Sequence, residues 1–165
     1  MINSSIRESN LAQLEAEIDR LLEQDTGING LSSVPECGRK TVIVLRAELG
    51  DVSRFQRIDQ AVAYAGLDIQ VKQSGKWKGQ AKLSKRGSGR LRRILYLAAA
   101  RCTRLKGSAF GAYYHRLVAR GMRKREARIS VLRNMLIVAV HLLKTKEEYD
   151  PSKVAVACGG SSRAR

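Results

Sequence analysis

The sequence has few aromatic residues and no long apolar segment, and each shortage excludes a class of protein. Aromatic residues make up 5% of the 165 residues, whereas apolar residues make up 44%. Leu, Ile, Val and Ala must therefore form the core, which favours packed helices over a sandwich of sheets. Apolar runs such as residues 135–140 are much shorter than the about 20 residues that span a bilayer. The sequence does not begin with basic residues followed by an apolar stretch, so it predicts no secretory signal.

Cysteine and histidine are also scarce. Cys37, Cys102 and Cys158 are odd in number and far apart, with no CxxC pair, so neither a disulfide framework nor a zinc site is indicated. A reducing cytoplasm is the expected location. His115 and His141 lie inside predicted helices without neighbouring acids. We therefore interpret them as packed or surface residues rather than catalysts.

Acidic residues are nearly absent from the middle of the chain. Between Lys72 and Arg133 there are 19 Lys and Arg but a single acid, Glu126. That segment has too few carboxylates to hold two magnesium ions. No HExxH, Walker or dinucleotide-binding motif is present.

Positive charge dominates what remains. The chain carries 31 Lys and Arg against 15 Asp and Glu, a formal net charge of +16. Residues 1–30 have a net charge of −4, so residues 31–165 carry +20. These positive charges repel one another unless a polyanion neutralises them. The charge distribution therefore predicts a nucleic-acid partner. The alternative is a solvated basic face, but such faces normally mix both signs.

The N-terminal segment has a short heptad-like pattern. Leu11, Leu14, Ile18 and Leu21 recur at steps of three and four, which predicts a helix over residues 5–24. A seam this short is marginally stable alone. It either packs on the protein's own core or pairs with another chain.

A helix-hairpin-helix unit is predicted next. Residues 28–34 and 39–49 have helical patterns, separated by the turn of residues 35–38. In such units the backbone N–H groups of the turn and of the second helix face a DNA phosphate. Arg39 and Lys40 follow the turn directly, where they would join that contact. A purely structural hairpin is the alternative.

The rest of the chain predicts a mainly α fold. We expect a short helix within residues 55–67, then a long ordered loop at 68–89 with room for a short β-hairpin. Loops of this length tend to be functional. A three-helix bundle follows, with helices from residue 88, around 110–117 and over 123–144. The last helix starts with Arg123, Lys124 and Arg125, where the helix dipole favours acids, which indicates an outside partner. The predicted domains are a coiled-coil-like linker helix (1–27), a DNA-binding domain (28–150) with its hairpin at 28–50, and a disordered tail (151–165).

Seven short motifs, in this order, carry a resemblance to a known family. The chain resembles the C-terminal domain of the IS110 family of insertion-sequence transposases, which includes the pilin-gene invertases. The resemblance covers about residues 31–150. The motifs are LSSVPECG at 31–38, AELGD at 47–51, RF at 54–55, AYAGL at 63–67, QSG at 73–75, LSKRG at 83–87 and LRR at 91–93.

The resemblance implies a serine nucleophile. In the family this domain bears a serine that attacks the DNA backbone and becomes covalently joined to it; the matching residue is Ser74. Surrounding cations would grip the phosphate and stabilise the transition state. The family also binds a structured guide RNA. The expected DNA- or RNA-binding residues are Pro35, Gly38, Arg39, Lys40, Lys72, Lys76, Lys78, Lys82, Lys85, Arg86, Arg90, Arg92, Arg93, Arg123, Lys124 and Arg125.

Two departures from the family pattern shape the expectations. Glu36 replaces a turn glycine, which would put a carboxylate where a phosphate approaches. Family members also carry a ribonuclease-H-like domain with four acids that bind Mg²⁺, and no such domain is recognisable here. We therefore expect a truncated chain with no cofactor of its own, inactive alone and located with the nucleoid. The alternatives are a non-catalytic remnant that regulates a full-length transposase through residues 11–21, or a basic structural protein of a ribonucleoprotein.

Overall fold

The structure is a computed structural model that describes residues 2–25, 27–70, 73–74, 77–78, 82–84, 86–105 and 107–153. For residues 2–5, 27, 69–70, 73–74, 77–78 and 82–83 the description covers the backbone alone. The helices are α1 (Ile2–Gln24), α2 (Gly27–Ser32), α3 (Arg39–Leu49), α4 (Ile58–Tyr64), α5 (Gly89–Cys102), α6 (Ala109–Ala119) and α7 (Lys124–Thr145), with a 3-10 helix at Val52–Arg54. The fold is mainly α, as predicted.

Among the described residues, four short strands form a β-hairpin within residues 68–89, the segment in which the sequence allowed a short hairpin. Strands β1 (Ile69–Gln70) and β4 (Lys82–Leu83) pair antiparallel, and β2 (Gln73–Ser74) pairs antiparallel with β3 (Trp77–Lys78). The two ladders follow one another along the same excursion of the chain between α4 and α5. The repeated glycines of this segment signalled the loop, but its strands are too short for alternation of apolar residues to reveal them.

Helix α7 is the centre of the protein. It contacts α2, α4, α5, α6 and the 3-10 helix, and Leu132, Leu136, Val140 and Leu143 are buried on it. The predicted three-helix bundle is part of a larger helical core, because α2 and α4 pack on the same central helix. One continuous core runs from Ile28 to Leu143.

Helix α1 joins this core only at its C-terminal end. Leu22 packs partly against the core, while Asp19 and Asp25 form ion pairs with Arg39 and Arg46 of α3. The helix starts earlier than the predicted residue 5. Its apolar seam stays largely exposed: Leu11, Leu14 and Leu21 are 60%, 64% and 57% accessible.

The C-terminal segment folds back after α7. Lys146 ends the helix in the left-handed region at φ 58°, and the ring of Tyr149 stacks on Phe110 with centroids 6.1 Å apart. Most of the predicted disordered tail, residues 154–165, lies outside the described residues. No helix in the described part of the chain is long and apolar enough to cross a membrane.

Candidate nucleic-acid interface

The turn between α2 and α3 lies close to where the sequence placed it. Pro35 is exposed, and Gly38 is the N-cap residue of α3 with an extended backbone at φ −65° and ψ 162°. The first N–H groups of a helix lack intrahelical partners. Whether this turn contacts DNA stays a prediction of the sequence.

Glu36 corrects one expectation about this turn. Its side chain is 1% accessible and accepts a hydrogen bond from the Ser108 hydroxyl. Ser108 is the N-cap of α6 and accepts from the Gly111 N–H at 2.9 Å. The carboxylate thus points into the core and ties the turn to α6. It does not occupy the place where a phosphate would approach.

The two basic residues after the turn differ in availability. Arg39 is exposed but forms an ion pair with Asp19 and donates to the Glu15 carbonyl of α1 at 3.4 Å. A phosphate would have to compete with that carboxylate. Lys40 is exposed and has no ion pair among the described residues. Lys40 is therefore better placed for an anion than Arg39.

Ser74 lies in the ladder of β2 and β3. We call it the outer ladder because β1 precedes it and β4 follows it in the chain. Its register partner is Trp77, and Gln73 pairs with Lys78. The backbones of Lys78 and Lys82 lie in β3 and β4. The predicted contacts Lys72, Lys76 and Lys85 lie outside the described residues. Ser74 therefore lies in the hairpin between α4 and α5, on a segment that also contains basic residues.

The base of the hairpin is held by a group of contacts between α4 and α5. Gly66 and Gly87 approach so closely that a Cβ atom on Gly87 would lie 2.5 Å from the Gly66 nitrogen. The Ser84 N–H donates to the Asp68 carbonyl at 2.9 Å, and the Ser88 N–H donates to the Tyr64 carbonyl at 3.0 Å. The hairpin therefore leaves the core from a fixed point.

Glu48 adds a side-chain support to this base. The hydroxyl of Ser88, the N-cap of α5, accepts from the Leu91 N–H and donates to the Glu48 carboxylate at 2.6 Å. The Tyr64 hydroxyl donates to the Glu48 carbonyl at 3.1 Å. Helix α3 is thereby joined to the start of α5. The motif AELGD contains Glu48, but the sequence predicted no role for this side chain.

The predicted basic contacts within residues 86–125 divide into one half-buried residue and an exposed group. Arg92 is half-buried, and its Nη1 donates to the carbonyls of Ala65 at 2.9 Å and Gly87 at 2.8 Å. It supports the hairpin base, whereas we had expected a nucleic-acid contact. The exposed group consists of Arg86, Arg90, Arg93, Arg123, Lys124 and Arg125.

The two described cysteines are ordinary core residues. Both are buried and unpaired. Burial, followed by the negative charge of Glu36, raises the pKa of each thiol from 9.0 to about 12. Neither thiol is a nucleophile near neutral pH.

The acidic residues do not form a metal site. No three His, Cys, Asp or Glu side chains come together in a group that could hold an ion within the described ranges. The described residues therefore do not fit the Mg²⁺ that the family resemblance implies. His115 and His141 were interpreted as packed or surface residues. Both are exposed.

Comparison with known proteins agrees with the motif order. The model of the transposase IS116/IS110/IS902 family matches residues 29–115. A pilin gene-inverting protein of Moraxella bovis is 26% identical over 146 residues, 86% of this chain and 45% of the relative. A 43.6 kDa protein of insertion element IS110 from Streptomyces coelicolor is 31% identical over 137 residues, 83% of this chain and 34% of the relative.

A third relative extends the match. A 42 kDa protein of insertion element IS900 from Mycobacterium paratuberculosis is 26% identical over 155 residues, 91% of this chain and 38% of the relative. The chain thus spans less than half the length of each of these relatives. The family model covers more than half of the chain, over the segment from α2 to α6 that includes the hairpin and its supports. This chain belongs to the IS116/IS110/IS902 family of transposases.

Proposed function

We propose that this chain is a DNA-binding transposase segment that supplies Ser74 as the nucleophile of strand cleavage and exchange in DNA transposition. The observation that carries the proposal is the position of Ser74 in the outer ladder of a β-hairpin whose base is held by Gly66, Gly87 and Arg92. A nucleophile must reach a phosphate in DNA while its support stays rigid. The contacts at the hairpin base support such a role for Ser74.

The proposed step exchanges one phosphodiester for another. The Ser74 oxygen bonds to phosphorus, the bond from phosphorus to one sugar oxygen breaks, and that oxygen leaves as a hydroxyl. The proton lost by the serine balances the proton gained by the sugar. The ester is conserved, so a strand's hydroxyl can reverse the step and join the DNA to a new end. Exposed cations such as Arg86 and Arg90 offset charge on the phosphate.

Residues outside this sequence complete the reaction in this proposal. The described acids form no metal-binding group, so the base that removes the serine proton and any Mg²⁺ ligands come from elsewhere. Helix α1 offers a route for association, because Leu11, Leu14 and Leu21 form an exposed apolar stripe. A second copy of the chain or a full-length transposase would cover that stripe. Guide-RNA binding and a cytoplasmic, nucleoid-associated location belong to the same proposal.

Covalent adduct formation tests the serine. The full chain is mixed with element-end DNA, Mg²⁺ and a full-length relative whose own nucleophilic serine is replaced by alanine. We expect a denaturing gel to show DNA attached to this chain, and the adduct to be absent with Ser74→Ala. Ser32→Ala is the control, because Ser32 is an exposed serine on α2. An adduct that survives Ser74→Ala would overturn the assignment.

Binding separates catalysis from affinity. Ser74→Ala should leave DNA affinity nearly unchanged, since one neutral hydroxyl contributes little beside many cations. Replacing Lys85 and Arg86 with glutamine should weaken binding and flatten its salt dependence. If a working positive control forms adducts but this chain only binds DNA, the alternative function applies: a non-catalytic remnant that regulates a full-length transposase through α1.

A further inference from the structure

One side of α5 carries exposed arginines along its whole length. Arg90, Arg93, Leu97 and Arg101 follow at steps of three or four residues, which places them on one helix face. All four are exposed, while Leu91, Leu95, Ala98, Ala99 and Cys102 are buried on the opposite face. Arg104 follows in the turn after α5 and is also exposed. We refer to Arg90, Arg93, Leu97, Arg101 and Arg104 as the α5 arginine face.

The charge of this face is not neutralised inside the described part of the protein. Arg39, Arg46, Arg57 and Arg133 each form an ion pair with an aspartate. The arginines of the α5 arginine face have no ion pair among the described residues, and α5 contains no acid. Four unpaired guanidinium groups in a row need an anionic partner with repeated charges.

One end of the α5 arginine face lies close to the hairpin base, and the other end lies close to the α2–α3 turn. Arg90 lies two residues after Ser88, whose N–H bonds to Tyr64 at the hairpin base. At the other end the Arg101 Nη1 lies against the α2–α3 turn, 3.0 Å from where a Cβ atom of Gly38 would be. At a rise of 1.5 Å per residue, Arg90 and Arg101 are about 16 Å apart along the axis.

We propose that the α5 arginine face binds the phosphates of one DNA strand between the α2–α3 turn and the hairpin that carries Ser74. At about 16 Å the face is long enough to contact several successive phosphates of one strand. The inference rests on the proposed function and adds Arg101 and Arg104 to its binding residues. It also orders them: Arg90 and Arg93 contact phosphates nearest the cleaved bond, and Arg101 and Arg104 contact those nearest the turn.

Salt dependence of DNA binding provides the first test. Each phosphate contact contributes about 0.9 to the slope of log affinity against log salt, so Arg101→Gln with Arg104→Gln should lower the slope by about 2. The matched control is Arg7→Gln with Arg20→Gln, two exposed arginines of α1. A slope that changes equally in both pairs, or in neither, overturns the proposal. Circular dichroism confirms that each variant is folded.

A gain-of-charge variant avoids the problem of lost folding. Leu97 is 52% accessible and lies between Arg93 and Arg101, so Leu97→Arg should tighten DNA binding severalfold and steepen the slope by about 1. Gln13→Arg on α1 is the control and should do neither to the same extent. Unchanged binding with Leu97→Arg would contradict the proposed path. If only RNA binding responds, DNA is the wrong occupant.

Shortened DNA tests the order of contacts. When the duplex is cut back on one side of the cleavage site, the Arg101 and Arg104 variants should lose their effect while Arg90→Gln with Arg93→Gln retains it. An effect of both pairs that is independent of DNA length overturns the ordered path. Because these are binding measurements, loss of the path with an intact Ser74 adduct rejects only this inference. An intact path without an adduct rejects only the nucleophile, and absence of DNA binding rejects both.

Discussion

Gly66 and Gly87 meet backbone to backbone where the β-hairpin leaves the helical core. A Cβ atom on Gly87 would lie 1.9 Å from the Tyr64 carbonyl oxygen and 2.5 Å from the Gly66 nitrogen. Gly66 itself has a positive φ of 66°. Two chain segments 21 residues apart in the sequence therefore cross with no room for a side chain. This crossing lies at the base of the hairpin that contains Ser74.

Gly87→Ala should disturb that crossing. The nearest atoms belong to the backbone and cannot move cheaply, so we expect a loss of about 1–3 kcal/mol in the free energy of unfolding. Gly89→Ala is the matched control, because its Cβ would lie 3.8 Å from an Arg92 side-chain atom, an ordinary van der Waals contact, and alanine favours the helix. Urea denaturation measures both variants. Equal stability of the two would contradict the close approach.

The two serine N-caps should differ in their contribution to stability. Ser88 and Ser108 each cap a helix and donate to a glutamate, Glu48 and Glu36 respectively. Loss of either cap costs about 1 kcal/mol. Ser108→Ala also leaves the buried Glu36 without its donor, which should cost about 1–3 kcal/mol more. Thermal unfolding of the two alanine variants tests this; a larger loss with Ser88→Ala would refute it.

The buried thiols predict a loss of stability at alkaline pH. The pKa of Cys37 and of Cys102 is raised from 9.0 to about 12 in the folded chain, so the unfolded state releases these protons first. The stabilisation is complete below about pH 9 and is lost as pH rises toward about 12. Cys102→Ala should weaken this dependence. The free energy of unfolding is measured between pH 8 and pH 11 for the parent chain and for Cys102→Ala. An identical decline in the two proteins would argue against burial of the Cys102 thiol.

The exposed stripe of α1 predicts self-association without a role in folding. Leu14→Glu with Leu21→Glu should lower the mass measured by sedimentation at high protein concentration, since a charge in a coiled-coil seam opposes pairing. Monomer stability should change little, because both leucines are largely exposed. Gln13→Glu is the control on the same helix. Identical masses for all three proteins would show that α1 does not mediate association.

Helix positions were predictable from the sequence because they depend on local periodicity and on end residues. Helix α3 spans the predicted residues 39–49, and α7 begins and ends within one residue of its predicted limits. The motif order also indicated the family, which the comparisons confirmed. The assignment of Ser74 as nucleophile stays a prediction, since it rests on the family resemblance.

Contacts between distant residues were decided by the tertiary structure. Sequence alone placed Glu36 toward a phosphate, whereas packing against α6 buries it beside Ser108. Arg92 was indistinguishable in sequence from Arg93, but its position on the helix turns it toward Ala65 and Gly87. The net charge and the spacing of apolar residues can be taken directly from the sequence. Which polar side chain turns inward depends on partners 27 to 72 residues away, and only the folded chain brings those partners together.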